Sequence, residues 1–271
     1  MEDYLDARWQ AILAYNNLRS FDDLWSLDIG WFEEPNHRRG GWSGVSRCEL
    51  ALPEGGSTAI FLKRQENHNT FSWRHPLQGV PTFVREFKMI RHYQAKGIPS
   101  LQPVYFATRQ TPEYQRAILA TEELTGFVSM ENRVTQWLQS GIPVRAERLR
   151  YLRAIADLLR TMHRHHIQHN CPFPKHLFTK PRTDGSIEVR IIDLEKSRWR
   201  PLMLFCTLRD LGALLRHAPG WSNTDRLWFF KRYLGIAHLT PYAKWLWRRI
   251  AKRVLKKGLA WHADTPRLRV G

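Results

Sequence analysis

The period of the apolar pattern changes once along this chain, and that change restricts the folds open to it. From Gly40 to Ala120 the texture is strand-like with one helical interruption, and beyond residue 123 it is helical. Gly40-Gly41-Trp42-Ser43-Gly44-Val45-Ser46 begins the strand-rich part and Cys48-Glu49-Leu50-Ala51-Leu52 continues it. Pro53-Glu54-Gly55-Gly56 marks a turn, and Thr58-Ala59-Ile60-Phe61-Leu62-Lys63 reads as the returning strand. Residues 66–80 show no periodicity and predict a loop. Pro81 then opens a helical run, with Phe83, Phe87, Ile90 and Tyr93 three to four apart, that stops at Gly97 and Pro99. Val104–Ala107 and Ala117–Ala120 are short apolar strands, and Glu122-Glu123-Leu124-Thr125-Gly126 reads as an exposed connector.

In the second part, residues 145–166 form the clearest helix, with Leu149, Leu152, Ile155, Ala156, Leu159 and Met162 on one face. A Pro-containing loop at 168–176 leads into two strands, Leu177–Thr179 and Ile187–Ile192, around the turn Thr183-Asp184-Gly185-Ser186. Three helices are expected at 205–217, 222–235 and 240–257. Residues 1–30 carry a helical pattern (Leu5, Trp9, Ile12, Leu13) and read as a docked appendage. The expected division is an N-terminal extension over 1–39, a strand-rich lobe over 40–122 and a helical lobe over 123–271.

Composition narrows the function classes. With 43% hydrophobic residues and 12 Trp, the chain can bury a sizeable core. No apolar run reaches membrane-spanning length, and an acidic start, Met1-Glu2-Asp3-Tyr4, with no apolar stretch after it argues for a cytoplasmic protein. Cys48, Cys171 and Cys206 are scattered and odd in number, which fits a reducing compartment. The net charge of +17 attracts polyanions: nucleic acid, an anionic membrane surface or a phosphorylated glycolipid. Nucleic acid has the least support, because no zinc finger, RNP-like motif or helix-turn-helix accompanies the charge.

Several residues suit phosphate chemistry. Lys63 ends a strand after the Gly-rich hairpin, where an ammonium can meet phosphates, although a strand-end lysine can also simply snorkel. Glu86, on the following helix, can pair with it or remain a solvated charge. Asp193 follows the apolar run Val189-Arg190-Ile191-Ile192, where a carboxylate must be solvated, paired or metal-bound. His163, His165 and His166 crowd the end of the long helix without a zinc-type pattern. Interaction with the helix dipole explains them better.

In this order the motifs resemble the protein-kinase-like superfamily, and within it the bacterial lipopolysaccharide kinases (the WaaP/InaA-like group, related to Kdo kinases). The resemblance runs from Gly40 to Arg216. It is carried by the Gly-rich hairpin, Ala59–Lys63, Arg85-Glu86-Phe87, His169-Asn170-Cys171, Ile191-Ile192-Asp193-Leu194-Glu195 and Arg209-Asp210-Leu211. It implies an α+β, bilobal kinase-like fold with a small β-rich N-lobe and a larger helical C-lobe. It implies ATP and Mg²⁺ as cofactors and a membrane-bound glycolipid as acceptor, met at the cytoplasmic side of the inner membrane. Lys63 would contact the α/β-phosphates with Glu86 holding it, and Gly40, Gly41 and Gly44 would let backbone approach them. The connector at Glu122 and Leu124 would receive the adenine. Asp193 would bind the metal, with His176 at a second metal-binding position. His169, Asn170 and Cys171 occupy the catalytic loop, and Asp210 the place of a buried brace. There are two departures: the Gly-rich segment lacks a full GxGxxG, and, more consequentially, Cys171 stands where the family has its catalytic aspartate. A thiol does not substitute for an ionised carboxylate in holding a hydroxyl, so a pseudokinase that keeps the nucleotide site is the rival reading.

The last helix is basic and amphipathic. Trp247, Ile250 and Val254 can face one way while Arg249, Lys252, Arg253 and Lys256 face elsewhere. This suits either an anionic interface or an apolar stripe packed on the helical lobe with solvated cations.

Overall fold

The computed structural model describes residues 2–38, 40–72, 75–218 and 220–257. The chain divides into two compact units, one of residues 1–92 with 101–125, the other of residues 93–100 with 126–271.

The first unit is built on six antiparallel strands. Its elements are β1 (Tyr4–Leu5), α1 (Ala7–Tyr15), α2 (Phe21–Ser26), β2 (Glu33–Arg38), β3 (Gly41–Ala51), β4 (Ser57–Glu66), β5 (Asn69–Ser72), β6 (His75–Pro81), α3 (Thr82–Ala95), β7 (Pro103–Gln110) and β8 (Gln115–Glu122). The sheet order is β1-β7-β8-β4-β3-β2, and β5 and β6 form a separate hairpin. The β3–β4 register runs from Ala51↔Ser57 to Trp42↔Glu66. Its turn places Gly55 and Gly56 at φ 96° and 85°, a left-handed conformation that a Cβ would strain. Because strand side chains alternate, β4 serves two faces. Ile60 and Leu62 join Trp9, Leu13, Phe21 and Leu24 of α1 and α2 in one apolar cluster. On α3, Phe87 stacks on Phe106 of β7 at 4.3 Å.

Two local expectations change. The expected loop at 66–80 contains the β5–β6 hairpin, whose polar, Gly- and Pro-bearing strands show no alternation to read. The expected extension 1–39 is part of this unit: β1 pairs with β7, β2 pairs with β3, and α1 and α2 cover the sheet.

The second unit contains β9 (Val128–Ser129), α4 (Met130–Ser140), α5 (Arg145–Arg164), β10 (Ile167–Gln168), β11 (Leu177–Pro181), β12 (Ile187–Ile191), β13 (Arg198–Trp199), α6 (Met203–Arg216), α7 (Asn223–Leu234) and α8 (Pro241–Lys257). Strands β12, β11 and β9 form one small sheet, and β10 and β13 another. Leu152, Ile155, Ala156, Leu159 and Met162 form the buried stripe of α5, as their spacing predicts. In α8 the buried stripe is Ala243, Leu246, Ile250 and Val254, so its apolar face packs within the unit. No helix among the described residues is long and apolar enough to cross a membrane.

Gly41 has a packing requirement. A Cβ there would overlap the Glu66 carbonyl oxygen and the Asn67 carbonyl carbon and lie 2.7 Å from the His68 nitrogen, all backbone atoms that cannot swing aside. Gly41→Ala is expected to lower unfolding free energy by about 1–3 kcal/mol in denaturant titration.

Candidate functional site

Strand β4 points Lys63 to the face opposite Ile60 and Leu62, toward α3. There its Nζ lies 2.6 Å from Glu86 Oε1. The Glu86 side chain is only 4% exposed, so its charge depends on that ammonium. Breaking such a buried pair leaves an uncompensated charge and costs about 3–5 kcal/mol. The helix-surface alternative for Glu86 therefore does not hold.

The predicted glycines separate by role. Gly40 turns with φ 81° and open space around its Cβ position, whereas Gly44 lies against the Trp31 ring, whose nearest atom would be 2.5 Å from an added Cβ. Gly41 and Gly44 thus have internal packing reasons, and Gly40 alone keeps open space. At the connector, the Glu122 N–H donates to the Gln102 carbonyl at 2.9 Å, and its carboxylate lies 3.9 Å from Arg8. Leu124 is half-buried just beyond β8.

In the second unit, the loop after β10 is held by Asp210 of α6. This fully buried carboxylate accepts from the His169 N–H at 2.7 Å and the Asn170 N–H at 2.9 Å. His163 Nε2 stands 3.2 Å from the same carboxylate, with its Nδ1 2.8 Å from the Tyr233 hydroxyl. His163 is therefore part of a buried hydrogen-bonded brace. The helix-dipole reading fails for it because α5 carries this ring to the inside of the unit. Sequence reading named His163 but not this role, and missed Tyr233. The signal for His163 was its place one residue past Met162, at the edge of the apolar face.

His169 has both ring nitrogens engaged by backbone. The Cys171 N–H donates to Nδ1 at 3.3 Å, and Nε2 donates to the Ile192 carbonyl at 2.9 Å. Burial lowers its pKa against the opposing pull of Asp210 and Asp193, favouring the neutral ring. It positions the loop and has no free nitrogen for proton transfer. Asn170, at φ 75°, gives its amide N–H to the Lys196 carbonyl at 2.6 Å, while its side-chain oxygen accepts from Gln168 and from Arg198. One of the two amide N–H groups is thus committed to holding the loop. Burial pushes the Cys171 thiol up, so near neutral pH it is a protonated thiol and not a thiolate base.

Asp193 sits after β12 in a left-handed conformation, φ 61° and ψ 59°, which turns the chain at the strand end. Its carboxylate is 3.5 Å from His176 Nε2, and His176 Nδ1 donates to the Cys171 carbonyl at 2.8 Å. Burial lowers the His176 pKa, with Asp193 opposing. In the neutral ring, the bond to Cys171 leaves the Nε2 lone pair directed at a carboxylate oxygen. Two electron-rich atoms facing each other fit a bound cation. Among the described residues no cluster of three or more His, Cys, Asp or Glu is placed to hold a metal. The remaining ligands would be phosphate and water oxygens, as is usual for Mg²⁺.

The sequence model of the lipopolysaccharide kinase (Kdo/WaaP) family matches residues 22–233. The chain belongs to this family. Among its relatives, protein InaA of Escherichia coli K12 is 35% identical over 181 residues, covering 66% of this chain and 79% of InaA. The lipopolysaccharide core heptose(I) kinase WaaP of the same strain is 27% identical over 215 residues, covering 70% and 77%. Pseudomonas aeruginosa WaaP is 27% identical over 164 residues, covering 55% and 58%. The solved structure of WaaP in complex with acyl carrier protein superposes with a TM-score of 0.64 at 20% identity, over 93% of this chain and 99% of that one. The bilobal α+β kinase-like fold expected from the motif order is therefore the family's fold. The partner named with that neighbour is a carrier protein, not a glycolipid.

The buried histidines set an acid limit on stability. The folded pKa of His169 lies below its unfolded value of about 6.5. As pH falls through about 6.5, the unfolded chain takes up a proton that the folded chain refuses, and stability drops. The depressed carboxylates Asp6, Asp23, Glu123, Asp184 and Glu188 add their losses only near and below about pH 4.5. Thermal unfolding is expected to show a falling Tm between about pH 7 and 5.5, with a shallower slope in His169→Gln.

Proposed function

We propose that the chain is an ATP- and Mg²⁺-dependent phosphotransferase of the lipopolysaccharide kinase type, acting on a sugar hydroxyl of a lipopolysaccharide-core or related glycolipid. The acceptor would be met at the anionic cytoplasmic surface of the inner membrane. The observation that carries this reading is the Lys63–Glu86 pair at 2.6 Å, which fixes an ammonium on the inner face of a strand beside a Gly-bearing hairpin. In this reading Lys63 neutralises nucleotide phosphates, Glu86 fixes its direction, and the Glu122–Leu124 connector receives the adenine. Asp193 and His176 hold the cation. Mg²⁺ supplies charge neutralisation on the transferring phosphoryl group. His169 and Asp210 hold the loop that carries Cys171.

Cys171 favours a second reading. A protonated thiol takes no proton from an acceptor hydroxyl, and losing a general base slows transfer by roughly two to four powers of ten. The protein would then be a slow kinase or a pseudokinase that binds nucleotide as a signal. The acyl carrier protein held by WaaP is a further partner to test by co-purification.

Thermal-shift titration separates these readings. ATP with Mg²⁺ is expected to raise Tm, with the shift lost in Lys63→Ala and in Asp193→Ala. No shift in the natural protein sinks nucleotide binding altogether. If Cys171→Asp creates ATP turnover where the natural protein has none, the pseudokinase reading holds. If the natural protein is active and Cys171→Ala leaves the rate unchanged, that reading fails.

A further inference from the structure

The outer face of α8 is a strongly charged surface that the phosphate chemistry leaves unused. Lys244, Arg248, Arg249, Lys252 and Lys256 are exposed on the side away from the buried stripe, Arg253 is exposed at the edge of that stripe, and α8 contains no Asp or Glu. Among the described residues, no carboxylate pairs with any of these six. From Lys244 to Lys256 the helix presents them along about 18 Å. Near its start, Tyr242 and Trp245 are also exposed. Their rings stack at 5.8 Å, and the Arg249 guanidinium lies 5.5 Å from the Trp245 ring centroid.

Neither packing nor the helix dipole requires this face. Packing of α8 is supplied by Ala243, Leu246, Ile250 and Val254. The dipole favours cations only in the last turn, whereas Lys244, Arg248 and Arg249 lie in the first half, and Lys244 stands at the unfavourable end. Ordinary soluble surfaces intersperse both signs.

We propose that this face docks the chain on a bilayer surface rich in anionic lipid. Cations spread over the outer half of a rigid helix can meet a planar array of lipid phosphates, each cation adding to the attraction within a Debye length. Tyr and Trp have the amphipathic rings that settle at headgroup depth. Because the apolar stripe is already engaged in the unit, α8 adsorbs through its charged side and does not bury its apolar side in the acyl region. A nucleic acid would meet the same charge. The paired aromatic rings and exposed Leu255 give the face apolar groups that a bilayer interface accommodates. The inference rests on α8 alone and does not depend on phosphoryl transfer.

The test is co-sedimentation of the full chain with vesicles of phosphatidylcholine alone or mixed with phosphatidylglycerol. Binding is expected to the mixed vesicles only and to weaken as salt rises. The triple variant Arg249→Glu, Lys252→Glu, Lys256→Glu is expected to lose about tenfold or more in lipid affinity with its unfolding temperature unchanged, since all three side chains are exposed. Trp245→Ala is expected to weaken binding while keeping the salt dependence. Absence of binding to mixed vesicles, or equal binding by the triple variant, overturns the proposal. So does an oligonucleotide that strips the protein from vesicles through the same three residues, which assigns the face to nucleic acid.

Discussion

The carboxylate of Asp210 is the constraint on which the second unit's chemistry depends. It has no exposed surface, yet it accepts from two consecutive backbone amides and lies within hydrogen-bond reach of a histidine ring. Each of those donors would otherwise be a buried orphan costing about 1–3 kcal/mol. With the amides held, the chain can take the positive φ at Asn170, and that turn presents Cys171. His169 completes the restraint by bonding the Ile192 carbonyl, one residue before Asp193. The loop and the segment carrying Asp193 are thus tied through one imidazole. The brace is polar, buried and satisfied, the condition under which a buried network specifies a single arrangement.

The first unit solves a simpler problem with the same logic. A lysine on a strand and a glutamate on a helix are each unremarkable in sequence, and each is unfavourable when buried alone. Brought together at 2.6 Å they satisfy one another and leave an oriented ammonium. The surroundings of that strand are unusually aromatic, and the α1 and α2 helices, which seemed an appendage, supply much of the apolar cover. Removing them would expose the faces of Ile60 and Leu62, so these helices are part of the lobe itself.

Different physical signals made different parts legible. The long helix α5 and the three final helices were readable because their apolar residues repeat at the helical period, and the strands β4 and β8 because they are short continuous apolar runs bounded by turn or connector residues. The β5–β6 hairpin was not, since it carries no alternation. Asp193 could be singled out because a carboxylate closing an apolar strand needs a reason. Lys63 and Glu86 lie 23 residues apart and gained meaning only from motif order. His163 was misjudged because a histidine near a helix end looks the same from sequence whether it faces water or Asp210.

The sequence by itself determined the order of elements, the family, the basic character of the chain and the presence of Cys171 where the resemblance implies an aspartate. These are properties of residue types and spacing, which do not depend on what stands opposite. Tertiary structure decided everything that turns on partners. It paired Lys63 with Glu86 and enclosed Asp210 with the two amides. It engaged one Asn170 amide N–H in holding the loop, raised the Cys171 pKa by burial and turned the His176 lone pair toward Asp193. In each case the outcome is set by desolvation and by donor–acceptor geometry between residues distant in the chain, and no local pattern encodes either.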